Sequence, residues 1–342
     1  MEIGILGLPQ SGKSTLFEIM TGVKSREIHC EQFVRGIASV SDKRFDHLAE
    51  IYQPAKVSPA RVPFVDVNAS GEKAWNAIRQ NMSGADGFIH VIDGFTAASA
   101  DEIADRYRKL MDDLILADMI MVENRLERMQ KVPRKSMNLL ETLQVELMPK
   151  IHDHLEKGGV IHSLTFTPDE EKSLRSFSFW TMRPELIVVN MGENTCPLEE
   201  IAAKMPAAAS VMGISCQMEI EIMGLGEEEQ KEFRESLGIA EAAYHKIIQE
   251  AFLLLNRISY FTVGDDEVKA WVIPKETKAP KAAGVIHNDF ERGFIKAAVV
   301  SYDDFVACGS AMSKVKNSGK LRLEGKDYIV QDGDIIDFRF NV

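Results

Sequence analysis

Gly7-Leu8-Pro9-Gln10-Ser11-Gly12-Lys13-Ser14-Thr15 follows directly on an apolar run at 3–6 and has the spacing G-x-x-x-x-G-K-S/T. Glycines at the two fixed positions let the backbone curl until successive N–H groups point inward at phosphate oxygens, and Lys13 adds a cation toward the β and γ phosphates. Ser14 is the residue expected to hold Mg²⁺. Residues 15–20 read as the helix that follows, and the partial positive charge at its N-terminus favours the same anion. The first expectation is therefore binding of a nucleoside triphosphate, with Gly7, Pro9, Gln10, Ser11, Gly12, Lys13, Ser14 and Thr15 as its phosphate contacts.

Working outward, short apolar blocks recur at 36–40, 62–65, 88–92, 186–189 and 210–214. Continuous aliphatic and β-branched blocks of this length, separated by helical stretches, are how buried parallel strands read, so the fold class expected is α/β. Between the block at 88–92 and that at 186–189 the texture changes. Ile103, Tyr107, Leu110, Leu114, Met121, Val122, Leu126 and Met129 recur at threes and fours among charges, which is a long amphipathic helix. Pro133 ends it, and Leu139, Leu140, Leu143, Leu147, Ile151 and Leu155 supply a second stripe, stopped by Gly158-Gly159. Two such helices around a short basic turn at 131–135 make an inserted antiparallel hairpin. That turn offers RNA a contact, although a charge run of this kind more often forms a solvated face.

From residue 259 the pattern becomes short strands at 260–262, 267–273, 297–300, 321–323, 328–330 and 335–340, separated by turn residues such as Asp332-Gly333-Asp334. A separate α+β module with little helix is expected there. The domain reading is thus 1–98 with 181–258 for a nucleotide-binding G domain, 99–180 for the helical insertion and 259–342 for the C-terminal module.

A chain of 342 residues exceeds one average domain, and 45% hydrophobic with 27% charged residues is ordinary for a globular protein. Its net charge of −12 argues against a surface that coats nucleic acid. The C-terminal strands nevertheless concentrate Lys269, Lys278, Lys281, Arg292, Lys296, Lys314, Lys316, Lys320 and Arg322, a local cationic cluster. No stretch approaches the ~20 apolar residues of a membrane span, and the N-terminus has no signal-peptide character. A cytoplasmic protein without membrane contact is expected. Cys30, Cys196, Cys216 and Cys308 stand far apart with no metal-ligand spacing, which indicates neither a disulfide framework nor a zinc site.

A phosphate loop alone covers kinases, ATPases and GTPases, so the base-reading residues come next. Asn190-Met191-Gly192-Glu193 closes the strand at 186–189, at the edge where α/β sheets bind ligands. Translation-factor-type GTPases carry N-K-x-D there, with the Asp accepting two hydrogens from guanine. Here Glu193 is one methylene longer and Met191 replaces the stacking Lys, which removes the guanine-reading pair and admits adenine. Ser215, after the strand at 210–214, occupies the place of the loop that packs on the base. Asp66 is positioned like the acid that holds Mg²⁺ through water, so the metal set is Ser14 and Asp66. The continuation Asp66-Val67-Asn68-Ala69 lacks the glycine of D-x-x-G, no threonine occurs within 26–32, and no glutamine stands ready to orient water. His29 offers a substitute base or Mg²⁺ neighbour, although a lone loop histidine is more often a solvated residue. No catalytic residue is assigned.

Together these residues carry a specific resemblance. The motif Gly-x-Pro-x-x-Gly-Lys-Ser-Thr, the Asn-x-x-Glu, Leu116-Ala117-Asp118 with Val122-Glu123-Asn124-Arg125-Leu126-Glu127-Arg128, and Tyr260-Phe261-Thr262-Val263-Gly264 are similar to the YchF/Obg-like ATPase family. The long run from Lys278 through Ala282-Ala283-Gly284-Val285-Ile286-His287-Asn288-Asp289-Phe290 to Ile295 is its strongest part. The resemblance spans essentially the whole chain. It implies a TRAFAC-class P-loop G domain with an inserted α-helical coiled-coil hairpin, and a C-terminal α+β module of the TGS-like β-grasp type. It further implies ATP in preference to GTP, slow hydrolysis and association with ribosomes, through rRNA contacts of the TGS-like module and hairpin. Gln10 stands where the family has Asn, a change that bears on monovalent-cation stimulation, and the altered segments after Ser25 and Asp66 bear on hydrolysis. These departures mark a divergent paralogue. Two other readings remain beside the ATP-operated switch: a non-hydrolysing nucleotide-sensing adaptor of the same fold, and a GTP-binding protein.

Overall fold

The computed structural model describes residues 2–24, 33–68, 72–207, 209–236, 239 and 241–341. His29, Cys30 and Ala69, which the sequence reading singled out, lie outside the described residues. In chain order the elements begin with β1 (Ile3–Leu6), α1 (Lys13–Thr21), β2 (Phe33–Ser39), α2 (Lys43–Tyr52), β3 (Lys56–Ser58), β4 (Arg61–Val67), α3 (Glu72–Ile78) and β5 (Gly87–Asp93). Next come α4 (Ala100–Gln130), α5 (Leu139–Glu156), α6 (Pro168–Leu174), β6 (Glu185–Asn190), α7 (Leu198–Ala202), β7 (Ser210–Ile214), α8 (Cys216–Met223), α9 (Glu227–Ser236) and α10 (Ala243–Leu254). The chain finishes with β8 (Arg257–Thr262), β9 (Glu267–Pro274), α11 (Ala279–Ile286), α12 (Asn288–Arg292), β10 (Phe294–Ser301), α13 (Tyr302–Ala307), α14 (Met312–Asn317), β11 (Arg322–Glu324) and β12 (Asp334–Phe340).

Two compact units result, Met1–Ile37 with Pro63–Ile247 and Ala38–Val62 with Ile248–Val342. The first holds a P-loop G domain of α/β class. Its sheet runs β2-β4-β1-β5-β6-β7, and β1 pairs in parallel with β4 and β5, β5 with β6, and β6 with β7. Helices cover both faces of such a sheet, which is why β1 and most of β5 are apolar and buried residue after residue. Leu6, Phe88, Ile92 and Val189 join Ile103, Tyr107, Leu110 and Leu114 of α4 in one core.

The helical insertion begins with α4, whose 31 residues extend about 46 Å at 1.5 Å per residue. Ser99 caps it by accepting from Glu102 N–H, and α5 starts with a reciprocal cap between Asn138 and Glu141. The stripes predicted from sequence meet: Ile115, Val122 and Met129 pack with Leu147, Met148, Ile151 and Leu155 in a core of their own. Gly158, at φ 76°, supplies the left-handed turn after α5 that a side chain would resist.

In the second unit the sheet order is β11-β10-β12-β8-β9-β3. Antiparallel pairs β8–β9, β10–β12 and β10–β11 build most of it, and α11 buries Ala279, Ala282 and Ala283 against Tyr260, Ala297 and Phe338. This is the α+β composition expected of the C-terminal module. Two details differ from the sequence reading. Residues 328–330 make an isolated bridge between Ile329 and Lys278 rather than a ladder, and four helices lie between 279 and 317. Residues 38–62 belong to this unit, because β3 pairs in parallel with β9 (Lys56 with Glu267, Ser58 with Lys269), and Arg44 of α2 donates to Asp332 at 2.8 Å.

Candidate functional site

Between β1 and α1 the phosphate loop is shaped by two positive φ angles, 67° at Gln10 and 94° at Gly12. Gly12 is needed twice over, since a Cβ there would also lie 2.2 Å from the Asn190 amide nitrogen. At Gly7 a Cβ would meet Ser11 Oγ at 2.5 Å and the Val91 carbonyl at 2.6 Å. Both glycines are thus required by close approach, as a phosphate-cradling loop demands. Gln10 adopts a conformation that L residues with long side chains rarely take, and Asn tolerates it better. Beside the loop opens a cavity of about 220 Å³ whose walls include Leu8, Pro9, Ser11, Asp93 and Arg106.

Lys13 and Ser14 open α1. Burial pushes the Lys13 ammonium below its ordinary pKa, and the Asp66 carboxylate opposes that shift. Asp66, on β4, is fully buried. Lys13 interacts with Asp66 directly after the glycine loop, an arrangement that could hold a triphosphate with Mg²⁺, Lys13 and the loop N–H groups meeting the phosphates and Ser14 with Asp66 the metal.

Asn190 ends β6 and is 7% exposed. Its amide nitrogen donates to the Ser11 carbonyl at 3.1 Å, and its Oδ1 accepts from Cys216 N–H at 3.1 Å. The side chain therefore ties the loop to β6 and to the start of α8, with its second amide hydrogen unbonded among the described residues. Met191 packs against the core beneath β7, its sulfur 2.4 Å from where a Gly213 Cβ would stand. Glu193 is exposed on the turn that follows. Ser215 caps α8 by accepting from Met218 N–H at 3.3 Å.

Sequence reasoning missed the residues that hold this turn in place. Thr195 accepts from Gly192 N–H at 2.8 Å and donates to the Gly94 carbonyl at 2.9 Å. Arg106 of α4 donates to the Asp93 carbonyl at 3.0 Å and to Thr96 Oγ1 at 2.7 Å. Neither carries a local signal for this role, because the Thr195 bond to Gly94 spans 101 positions and Arg106 reaches back 13 positions to Asp93.

The chain is similar to known proteins over its full length. It is 37% identical over 362 aligned residues to the ribosome-binding ATPase YchF of Haemophilus influenzae, covering 99% of each. Against the protein of that name from Bacillus subtilis it is 35% identical over 365 residues, again covering 99% of each.

The chain belongs to the YchF family.

Residues 257–341 match the family model YchF-GTPase_C, described as "Protein of unknown function (DUF933)". The solved structure of the Schizosaccharomyces pombe YchF GTPase superposes with a TM-score of 0.83 at 27% identity, covering 99% of this chain and 97% of that one.

Two groups of residues behind the YchF resemblance acquire a physical meaning. Asp118, in the motif at 116–118, forms a fully buried ion pair with Arg79 at 2.6 Å. In the C-terminal module the cationic cluster is partly neutralised: Lys278 pairs with Asp327, Lys281 with Glu291, Lys320 with Asp304 and Arg322 with Glu324. Lys269 lies 3.6 Å over the Trp271 ring. Arg292, Lys296, Lys314 and Lys316 have no ion-pair partner among the described residues. No helix of the described residues is long and apolar enough to cross a membrane.

Proposed function

We propose that this chain is an ATP-operated switch protein that hydrolyses its nucleotide slowly and works in association with ribosomes in the cytoplasm. The observation that carries the reading is the phosphate loop with its Asn190 tie: Gly7, Gly12, Lys13 and Ser14 form a phosphate site stapled through the Ser11 carbonyl to the strand that presents the base-reading turn. ATP is preferred to GTP because Glu193 stands where a shorter Asp would accept two hydrogens from guanine. Bound Mg²⁺, held by Ser14 and Asp66, would neutralise phosphate charge. Turnover is slow because phosphoryl transfer relies on a positioned water and on charge stabilisation, and the chain carries no D-x-x-G glycine and no adjacent glutamine. Full-length similarity to proteins named ribosome-binding ATPase supports the partner.

Titration with ATP and GTP, followed by single-turnover hydrolysis, tests the nucleotide part. GTP binding roughly tenfold tighter than ATP would overturn it, and Glu193→Asp is expected to move the ratio severalfold toward GTP. Cosedimentation with ribosomes at two salt concentrations, with ATP or ADP, tests the partner. Charge reversal at Lys296, Lys314 and Lys316, three of the cluster's cations without an ion-pair partner among the described residues, is expected to weaken pelleting. Equal pelleting of wild type and variant would remove the C-terminal cations from that contact.

A further inference from the structure

Asp118 and Arg79 are 0% and 1% exposed, and no other ion pair among the described residues is buried as completely on both sides. Each is bonded to more than its partner. Asp118 Oδ1 also accepts from Trp180 N–H at 3.0 Å, and its Oδ2 accepts from the N–H and hydroxyl of Thr181, both at 2.8 Å. Arg79 donates to the Ala117 carbonyl at 2.8 Å and to the Ser178 carbonyl at 3.2 Å, and it lies 5.7 Å over the Trp180 ring. Trp75 of α3 packs edge-on against the same Trp180 at 5.5 Å.

Three segments meet here. Arg79 follows α3, the helix that comes directly after Asp66 and residues 67–71. Asp118 lies in the middle of α4, on the way to the hairpin tip. Trp180 and Thr181 are on the returning strand of chain that enters β6, and β6 ends at Asn190, which holds the Ser11 carbonyl of the phosphate loop. From Asp118 the chain therefore reaches the phosphate site by two routes, through α3 to Asp66 and through β6 to the loop. A buried ion pair adds little net stability over apolar packing of the same volume, while it penalises any other arrangement of the segments it joins.

We propose that Arg79 and Asp118 are the positioning pair that joins the Asp66 side of the nucleotide site to the helical hairpin, so that exchange of one nucleotide state for another moves α3 and α4 as one body. This rests on the nucleotide-switch reading above. Neither residue touches the nucleotide site, and both act through the elements they hold.

Hydrogen–deuterium exchange on the full chain with Mg²⁺ and either ATP or ADP tests the pair. In the wild type, peptides covering 72–79 and 100–156 are expected to change together between the two states. Asp118→Asn keeps the shape and removes the charge. It is expected to retain ATP affinity within about threefold while the 100–156 response disappears and that of 72–79 remains. Thr181→Val, which removes one hydroxyl donor and spares the ion pair, provides a milder variant should Asp118→Asn fold poorly, and a reduced hairpin response is expected from it. Arg79→Lys, which keeps the charge but not the fork of donors, should respond between wild type and Asp118→Asn. A hairpin in the wild type that ignores the nucleotide state while ATP is bound overturns the proposal, as does an undiminished response in both Asp118→Asn and Thr181→Val. Absence of ATP binding in the wild type would instead fail the switch reading itself, and the pair would fall with it.

Discussion

At the phosphate loop, burial depresses the Lys13 ammonium and Asp66 opposes that shift, whereas at the root of the hairpin Arg79 and Asp118 are sealed from solvent and both Asp118 oxygens accept N–H hydrogens from the chain. Both regions place charge inside one unit. Lys13 opens α1 directly after the glycine loop, and its charge is the one expected to meet phosphate. The Arg79–Asp118 pair already finds its partners within the chain, at both Asp118 oxygens and both terminal nitrogens of Arg79, and its work is to hold three segments in one register. Charge that serves binding and charge that serves architecture are thus distinguished by what already surrounds them.

The comparison breaks most readily at the hairpin root. Asp118→Ala leaves the Arg79 guanidinium buried without its acid, and a loss of about 3–5 kcal/mol of stability is expected. Urea unfolding of the full chain measures it, and a loss below about 1 kcal/mol would mean that Arg79 finds water or another acceptor. Lys13→Ala should do the opposite. ATP affinity is expected to fall at least about 100-fold, or 2.7 kcal/mol, with an unchanged melting curve. Parallel losses of binding and stability would place Lys13 with the architectural charges.

Asn190→Ala sharpens the contrast, because this residue belongs to both classes. Losing its bonds to the Ser11 carbonyl and Cys216 N–H is expected to cost about 1–3 kcal/mol of stability. ATP affinity should fall by roughly tenfold through the loosened loop. Unchanged affinity at reduced stability would make Asn190 purely architectural.

The smallest effect expected is at Glu185, which accepts from the Tyr107 hydroxyl at 2.7 Å and lies 2.7 Å from His90 Nδ1. Burial raises its carboxyl pKa, but His90, Tyr107 and His162 together outweigh burial and leave it below the ordinary glutamate value of 4.5. A carboxylate whose pKa is lowered on folding stabilises the fold above its unfolded value, and that contribution disappears as pH falls through the folded one. Glu185→Gln is therefore expected to be less stable than wild type at neutral pH, by on the order of 1 kcal/mol, with the gap closing below pH 4.5. A gap independent of pH would indicate that shape rather than charge matters at this position.

Much of this was legible in the chain itself. The phosphate loop, the apolar blocks of the parallel sheet, the two stripes of the hairpin and the run from 278 to 295 are local patterns, in which a few neighbouring residues dictate backbone direction or bury one face. They determined the P-loop fold class, the insertion and the family. Local spacing also placed Asn190, Glu193 and Ser215 after the ends of strands; Glu193 and Ser215 follow β6 and β7, and Asn190 is the last residue of β6.

Only the tertiary structure decided what those residues touch. Asn190 reads from sequence as a base contact, and only the fold shows that one of its amide hydrogens goes across 179 positions to the Ser11 carbonyl. Arg79 and Asp118 are 39 positions apart, and nothing in the neighbourhood of either specifies the other. The strand β3 is too short to announce itself and exists by pairing with β9. Pairings of this kind depend on which distant groups folding delivers within hydrogen-bond reach. Periodicity and local motifs describe the chain over a few turns, and they carry no term for that distance.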